Sequence, residues 1–233
     1  MEMFYHPEVN AGSRVVLDRD ESQHLRALRI REGEEILLTD GLGSLGVCRV
    51  EWSRNEAVAI VSSVKKSEPR KYPLTLAVAP TKSMERNEWM IEKAIEVGVD
   101  RIVFIGCDTS ERKIIKHERI HRVAVAALKQ SRRTFLPKIE GIVSFTDWVM
   151  EEDAGTKCIG WCEEAGTTEL SQVLAPGKSL RMAIGPEGDF TPGEIQLAKE
   201  NGFVAVSLGI HRLRTETAAL YAAVAFNFIQ EES

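Results

Sequence analysis

Nothing in this chain of 233 residues offers a membrane segment, because no run of about 18 apolar residues occurs in it. The first residues, Met1 to Pro7, lack a basic region followed by an apolar one, so no secretory signal is expected and a cytoplasmic location is. Cysteine is scarce. Cys48, Cys107, Cys158 and Cys162 are scattered through apolar stretches, which argues against a disulfide framework or a zinc cluster and for reduced, buried thiols. No G-x-G-x-x-G follows a strand-like run, which removes an ordinary dinucleotide site, and no G-x-x-x-x-G-K-[ST] occurs, which removes P-loop phosphotransfer. One metal motif is present: His117-Glu118-Arg119-Ile120-His121 matches H-E-x-x-H. Lys116, Arg119 and Arg122 around it would repel a dication, and Glu140 beyond Leu136-Pro137 is no helical third ligand, whereas catalytic zinc needs three. The segment reads as a basic, partly exposed helix, and no metal is expected.

Acidic excess is mild, a net charge of −5, and at first argues against a nucleic-acid partner. The distribution reverses that. Residues 1–72 carry 11 basic and 12 acidic groups, 73–140 carry 13 and 9, and 141–233 carry 6 and 14. Between Arg112 and Lys138 nine basic residues face one acid, Glu118. Such a cluster either supplies phosphate contacts to a nucleic acid or forms a solvated helix face.

Residues 1 to about 66 read as all-β, with short strands at Glu35 to Thr39, Ser44 to Trp52 and Ala57 to Val64. Turn signals at Asp40-Gly41-Leu42-Gly43 and Ser53-Arg54-Asn55 separate them, the chemistry of a small barrel. The polar stretch Lys65 to Pro73, with two prolines, places the boundary between a domain over 1–68 and another over 73–233. From Leu74 the pattern becomes strand, helix, strand, helix: Leu74 to Ala79, then a helix capped by Ser83 and running through Val97, then Arg101 to Ile105. The helix would bury Trp89, Met90, Ala94 and Val97. This alternation predicts an α/β domain built on a mostly parallel sheet.

The most informative stretch runs from Arg181 to Tyr221. Two apolar runs, Leu180 to Ile184 and Phe203 to Leu208, have the length and bounding glycines of buried strands. Each ends in a glycine-containing polar turn that opens a helix, and paired strand ends of this kind form a ligand crevice at the carboxyl edge of a sheet. In the first turn Thr191-Pro192-Gly193-Glu194 spells a capping box with Pro at the first helical position, and Asn201-Gly202 ends the helix. Gly185 and Gly188 permit close approach of a ligand to the backbone. The second turn gathers Arg212, Arg214, Thr215, Glu216 and Thr217 before an apolar helix from Thr217 to Ile229. Leu220, Tyr221, Val224, Phe226 and Phe228 cover most of that helix, so it is expected to be buried on more than one side, either as a core helix or against a partner.

Ile184-Gly185-Pro186-Glu187-Gly188 together with Leu208-Gly209 and Leu213-Arg214-Thr215-Glu216-Thr217-Ala218 resembles the ribosomal small-subunit uridine N3-methyltransferases of the SPOUT superfamily. The likeness covers nearly the whole chain. It includes His24 to Arg29, Thr81 to Gly98 with Lys82, Glu92 and Lys93, Ser110 to Lys113, and Gln130 to Arg133. Departures are Lys129 and Arg132 where Glu and Gly are usual, Ile210-His211 where Pro-Arg is usual, and Asp189 where many relatives have Gly. The resemblance implies a C-terminal SPOUT-type knotted α/β domain with a parallel sheet and an N-terminal PUA-like β-barrel. It also implies methylation of N3 of a uridine in 16S rRNA of the 30S subunit, uridine 1498 in standard 16S numbering, with S-adenosyl-L-methionine as donor. Backbone groups of Ile184, Gly185, Glu187 and Gly188 would hold the cofactor, with Leu208, Gly209, Ile210 and Leu213 completing the pocket. Arg214 is the residue expected to polarise the base or fix its phosphate, and Glu216 or solvent to take the proton. RNA contacts are expected from Arg26, Arg29, Lys82, Arg112, Arg132 and Arg133, the first two having barrel-surface salt bridges as their other reading. A homodimer is implied. A reading of a different class is a non-enzymatic RNA-binding or assembly factor whose C-terminal pocket is only structural.

Overall fold

The computed structural model describes residues 1–54, 56–161 and 167–231, so Asn55 of the expected turn and the thiol of Cys162 lie outside the described residues. The chain forms two compact units, one of residues 1–69 and 125–136, the other of 70–124 and 137–233.

The first unit is built from β1 (Met3–Tyr5), β2 (Arg14–Val16), α1 (Arg19–Ala27), β3 (Glu35–Thr39), β4 (Ser44–Ser53) and β5 (Glu56–Lys66). Its five strands lie in the order β1-β3-β4-β5-β2, with β1 parallel to β3 and every other pair antiparallel. In β4, Ser44, Gly46, Cys48 and Val50 are buried while the residues between them are not, the period of a sheet with one face on a core. Phe4, Leu17, Leu25, Ile36, Leu38 and Val61 fill that core. The all-β expectation is corrected by α1. Its only apolar residues are Leu25 and Ala27, too few for a periodic stripe; it is marked instead by its cap, where Asp18 accepts from Glu21 N at 2.8 Å. Residues 132–136 belong here because they dock on the β3–β4 turn: Gly43 N donates to Thr134 O and Leu136 N to Gly41 O.

The second unit contains β6 (Leu74–Val78), α2 (Met84–Val97), β7 (Arg101–Gly106), the first half of α3 (His117–Ser131), β8 (Lys138–Ser144), α4 (Phe145–Met150) and β9 (Thr156–Gly160). It continues with β10 (Thr168–Glu169), α5 (Leu170–Val173), β11 (Leu180–Ile184), α6 (Pro192–Glu200), β12 (Val204–Ser207) and α7 (Thr215–Glu231). The seven strands are all parallel, in the order β10-β12-β9-β11-β6-β7-β8. The central strands β6 and β11 are buried at every position, as parallel strands covered on both faces must be. α4 and α6 pack on one face with Ala77, Ala79 and Ala183, and α7 packs on β6 and β11 and against α2.

Arg181 is a charged residue inside that core. It is 2% exposed, stacks over the Trp148 ring at 4.5 Å and donates to the carbonyls of Trp148 and Glu151, both at 2.8 Å. Burial pushes its pKa down, opposed by Glu151 and Asp153. A buried guanidinium survives there because aromatic faces and carbonyls replace its water.

One burial expectation is corrected, on α2. Trp89 on α2 is 41% exposed and Val97 only half-buried, while Ile91 and Ile95 join Met90 and Ala94 in the core. On α7 the buried stripe is Ala218, Ala219, Ala222, Ala223 and Phe226, small residues that bring the helix close to the sheet. Tyr221, Val224 and Phe228 stand exposed along its other side in the single chain, so the core of one chain covers only one face of this helix. Ser83 sits at the α2 N-cap but makes no side-chain cap bond. Asn87 orders this turn instead, its amide donating to the carbonyls of Thr81 and Ser83 and its oxygen accepting from Thr81 N.

Candidate active site

The strand order reverses between β6 and β11, and at the carboxyl ends of β9, β11 and β12 lies a cavity of about 840 Å³. Open parallel sheets bind ligands in such crevices, and the volume falls within the range of small-molecule sites. Its walls include residues 184–187 and 189 of the first loop and 206–216 of the second, with Ala218 of α7.

The first loop owes its shape to local bonds. Thr191 and Glu194 form the capping box, and the other oxygen of Glu194 accepts from Asp108 N at 3.0 Å. Asp189 turns the chain with φ 63°, its N donating to Pro186 O and its Oδ1 accepting from Phe190 N at 2.8 Å. The left-handed position thus falls on Asp189, the residue that departs from the family pattern, and not on Gly188. A Cβ on Gly185 would lie 3.1 Å from the Phe190 ring. Lys82 N donates to Glu187 Oε1, Arg212 to Glu187 O, and Arg112 to the carbonyls of Thr81 and Lys82. The second loop is tied to the first by Thr215, whose hydroxyl donates to Gly185 O at 2.9 Å.

Of the residues expected to hold the cofactor, Ile184, Gly185, Glu187, Leu208, Gly209, Ile210 and Leu213 line this cavity, and so do Arg214 and Glu216. Gly188 does not line it; a Cβ there would meet Thr109 at 3.2 Å, so its smallness serves the neighbouring loop. Ile210 is 92% exposed, an apolar side chain standing at the rim, and the Arg214 side chain is exposed too. Glu216 is only 8% exposed, with Arg86 Nε 3.6 Å from its Oε1. Arg86, Trp161, Thr167 and Glu169 also line the cavity and were not expected there, and Thr215, named in the second turn without a role of its own, joins them. Thr215 stood in plain view in the Leu-Arg-Thr-Glu-Thr run; Arg86 lies far from it in sequence and carried no local signal.

The expected RNA residues fall into two groups. Lys82 and Arg112 flank the first loop, Lys82 Nζ also pairing with Glu111 at 3.1 Å. Arg26, Arg29, Arg132 and Arg133 belong to the first unit. Arg26 lies 5.1 Å over the Trp52 ring, Arg29 and Arg132 take positive φ (59° and 55°), and Arg132 donates to Met1 O at 3.3 Å. The basic cluster is smaller than its count, since Arg119 pairs with Glu88, Lys129 with Glu21 and Lys138 with Glu140. Lys113, Lys116 and Arg122 remain exposed. His117 and His121 are exposed on α3, and among the described residues no group of three His, Cys, Asp or Glu is placed to hold a metal ion.

A family model described as an RNA methyltransferase domain matches residues 68–227, and an RNA methyltransferase PUA domain matches residues 17–62. The chain belongs to the RNA methyltransferase family. Ribosomal RNA small subunit methyltransferase E of Mycobacterium bovis is 35% identical, over 91% of this chain and 86% of its own length. The protein of the same description from Aquifex aeolicus is 29% identical over 98% of this chain and all of its own. Among solved structures, a probable rRNA-methyltransferase from Porphyromonas gingivalis superposes with TM-score 0.91 at 37% identity, covering 99% of both chains. Ribosomal RNA small subunit methyltransferase E from Neisseria gonorrhoeae, bound to S-adenosyl methionine, gives 0.88 at 28% identity, over 99% of this chain and 98% of that one. This methyltransferase therefore has its N-terminal PUA domain in the first unit and the parallel-sheet domain, with the cavity, in the second. Among the described residues, no helix is long and apolar enough to cross a membrane.

Proposed function

We propose that this methyltransferase moves the methyl group of S-adenosyl-L-methionine to N3 of a uridine in 16S rRNA, with the rRNA or the assembled small subunit as its partner. The observation that carries the reading is the cavity at the carboxyl edge of the sheet, walled by the Gly-Pro-Glu-Gly and Leu-Arg-Thr-Glu-Thr segments together. It is supported by the relatives' descriptions and by the cofactor in the Neisseria gonorrhoeae protein. The cavity's residues fit that cofactor: apolar Ile184, Leu208 and Leu213 suit an adenine face, polar backbone surrounds Gly185 and Gly209, and the buried carboxylate of Glu216 suits a cation.

Bound there, the cofactor supplies an activated methyl group on a positively charged sulfur. The protein's task is to orient the uracil and to stabilise it as N3 gives up its proton. Arg214 is exposed at the cavity rim, where a planar guanidinium can donate to a carbonyl oxygen of the base as negative charge grows on it. Glu216 is poorly placed as the proton acceptor, since its Oε2 has no accessible surface and its Oε1 faces Arg86. Lys82 and Arg112 border the first cavity loop and serve as phosphate contacts, with Arg26, Arg29, Arg132 and Arg133 as further contacts on the first unit. Trp89, Tyr221, Val224 and Phe228 form the exposed apolar surface that a second copy of the chain covers, giving a homodimer. The C-terminal segment is threaded as in the SPOUT knot, and the enzyme works in the cytoplasm.

The test is single-turnover methylation of small-subunit particles and of free 16S rRNA lacking the modification, followed by mass mapping of the methylated nucleoside. Methylation at uridine N3 is expected. S-adenosylmethionine binding without transfer to either substrate would favour an assembly factor, and transfer to another atom would overturn the specificity.

A further inference from the structure

Among the described residues four carboxylates line the cavity: Glu169, Glu187, Asp189 and Glu216. Three are ordinary. Glu187 is exposed and accepts from Lys82 N, Asp189 accepts from Phe190 N, and Glu169 is only half-buried. Glu216 is more than nine-tenths buried, and its Oε2 is sealed from solvent with no hydrogen-bond partner. The adjacent hydroxyl of Thr215 is committed to Gly185 O. The cation facing Glu216, Arg86, approaches only as close as 3.6 Å, and its side chain is 42% exposed, so water screens the guanidinium far more than the carboxylate. The other cationic side chains of the lining, Arg212 and Arg214, are exposed, as is His211. The cavity wall thus holds a negative charge that is incompletely compensated where the dielectric is low. Such a charge is costly to the fold, and Gln would fill the same space without that cost. The arrangement is favourable when the cavity takes up a cation, and it acts through space, needing no contact with the sealed oxygen.

We infer that Glu216 is the specificity-determining group that makes this site prefer a sulfonium ligand to the corresponding neutral thioether. The inference rests on the S-adenosylmethionine reading given above. Substrate and product of methyl transfer differ at the sulfur by one methyl group and one positive charge. Shape therefore separates them weakly, whereas a buried carboxylate separates them by charge. Transfer of the methyl breaks its bond to sulfur and leaves S-adenosylhomocysteine, for which the attraction is gone, so the same residue favours loading of the donor and departure of the spent product. Arg86 is the positioning residue that moderates this field.

Equilibrium binding of S-adenosylmethionine and S-adenosylhomocysteine to the full chain, by calorimetry, tests this. Glu216→Gln should lower the ratio of the two affinities by about tenfold, or 1.4 kcal/mol, leaving S-adenosylhomocysteine within about threefold of its original affinity. Arg86→Met should move the ratio the other way. Equal weakening of both ligands by Glu216→Gln would mean a contact to their shared amino group or a structural role, and would overturn the inference, as would an unchanged ratio. Should Glu216→Gln fail to fold, Arg86→Met decides alone, a ratio that is unchanged or lower refuting the proposal. If the unaltered protein binds neither ligand, the cofactor reading itself fails, an outcome distinct from binding without discrimination.

Discussion

The hydroxyl of Thr215 donates to the carbonyl of Gly185 at 2.9 Å, joining the first turn of α7 to the end of β11. Through this bond the two cavity loops, thirty residues apart in sequence, keep a fixed separation. Thr215→Val keeps the shape and removes the donor. It should cost about 0.5–1.5 kcal/mol of stability in urea unfolding, with Thr215→Ser close to the original protein. Weaker S-adenosylmethionine binding should accompany it. Full stability and affinity in Thr215→Val would show that the loops hold their spacing by other means.

Asp189 carries the strain of the first loop. Its φ of 63° suits Gly, is tolerated by Asp, and opposes a β-branched residue. Asp189→Val should therefore destabilise the protein by about 1–3 kcal/mol, while Asp189→Gly, which loses the bond to Phe190 N but relieves the backbone, should stay within about 1 kcal/mol. Denaturant midpoints for the two variants measure this. A Val variant as stable as the Gly variant would place the strain elsewhere.

Glu140 gives the fold a defined acid sensitivity. The Arg101 guanidinium, bonding it at 2.8 Å, holds its carboxyl down from 4.5 to about 2, with Lys138 assisting against the cost of burial. A depressed carboxyl stabilises the fold above its unfolded value and loses that contribution as pH falls towards the folded one. The contribution at pH 7, roughly 3 kcal/mol as an upper bound, should fade between pH 5 and about 2. Glu140→Gln should be less stable than the original protein at pH 7 and approach it as the solution is acidified. A stability gap that stays constant between pH 7 and 3 would remove Glu140 from the acid response.

What could be read in the sequence was local. Thr191 and Glu194 name each other across three residues, and the capping box stands where that spacing put it. β6 and β11 were legible because strands buried on both faces are continuous apolar runs. α1 was hidden because Arg19–Ala27 is mostly polar, so its signal is a cap and not a stripe. The exposure of Trp89 could not be read because apolar character alone does not say which face of a helix meets the core. Arg86 beside Glu216 was invisible for a different reason: the contact is made by the order of strands in the sheet, which no spacing in either segment encodes.

The catalytic proposal stands or falls on Arg214. Its side chain is exposed at the cavity rim between Leu213, which lines the wall, and Thr215, which anchors the helix. It also has a backbone role, its carbonyl accepting from Ala218 N at 2.8 Å to begin α7, and any residue can supply that. Removing the guanidinium should therefore cost little stability, within the 0–1 kcal/mol of an exposed charged side chain. A donor to a developing anion is worth more, about 2.7–4 kcal/mol by analogy with oxyanion holes. Arg214→Ala should then lower the single-turnover methylation rate by about a hundredfold or more, with melting temperature and S-adenosylmethionine affinity nearly unchanged. Arg214→Lys should recover only part of the loss, since an ammonium keeps the charge but lacks the planar pair of donors. A rate for Arg214→Ala within about threefold of the original at saturating RNA, less than about 0.7 kcal/mol, would mean the anion is stabilised by another group, and His211 on the same rim would be the next to replace.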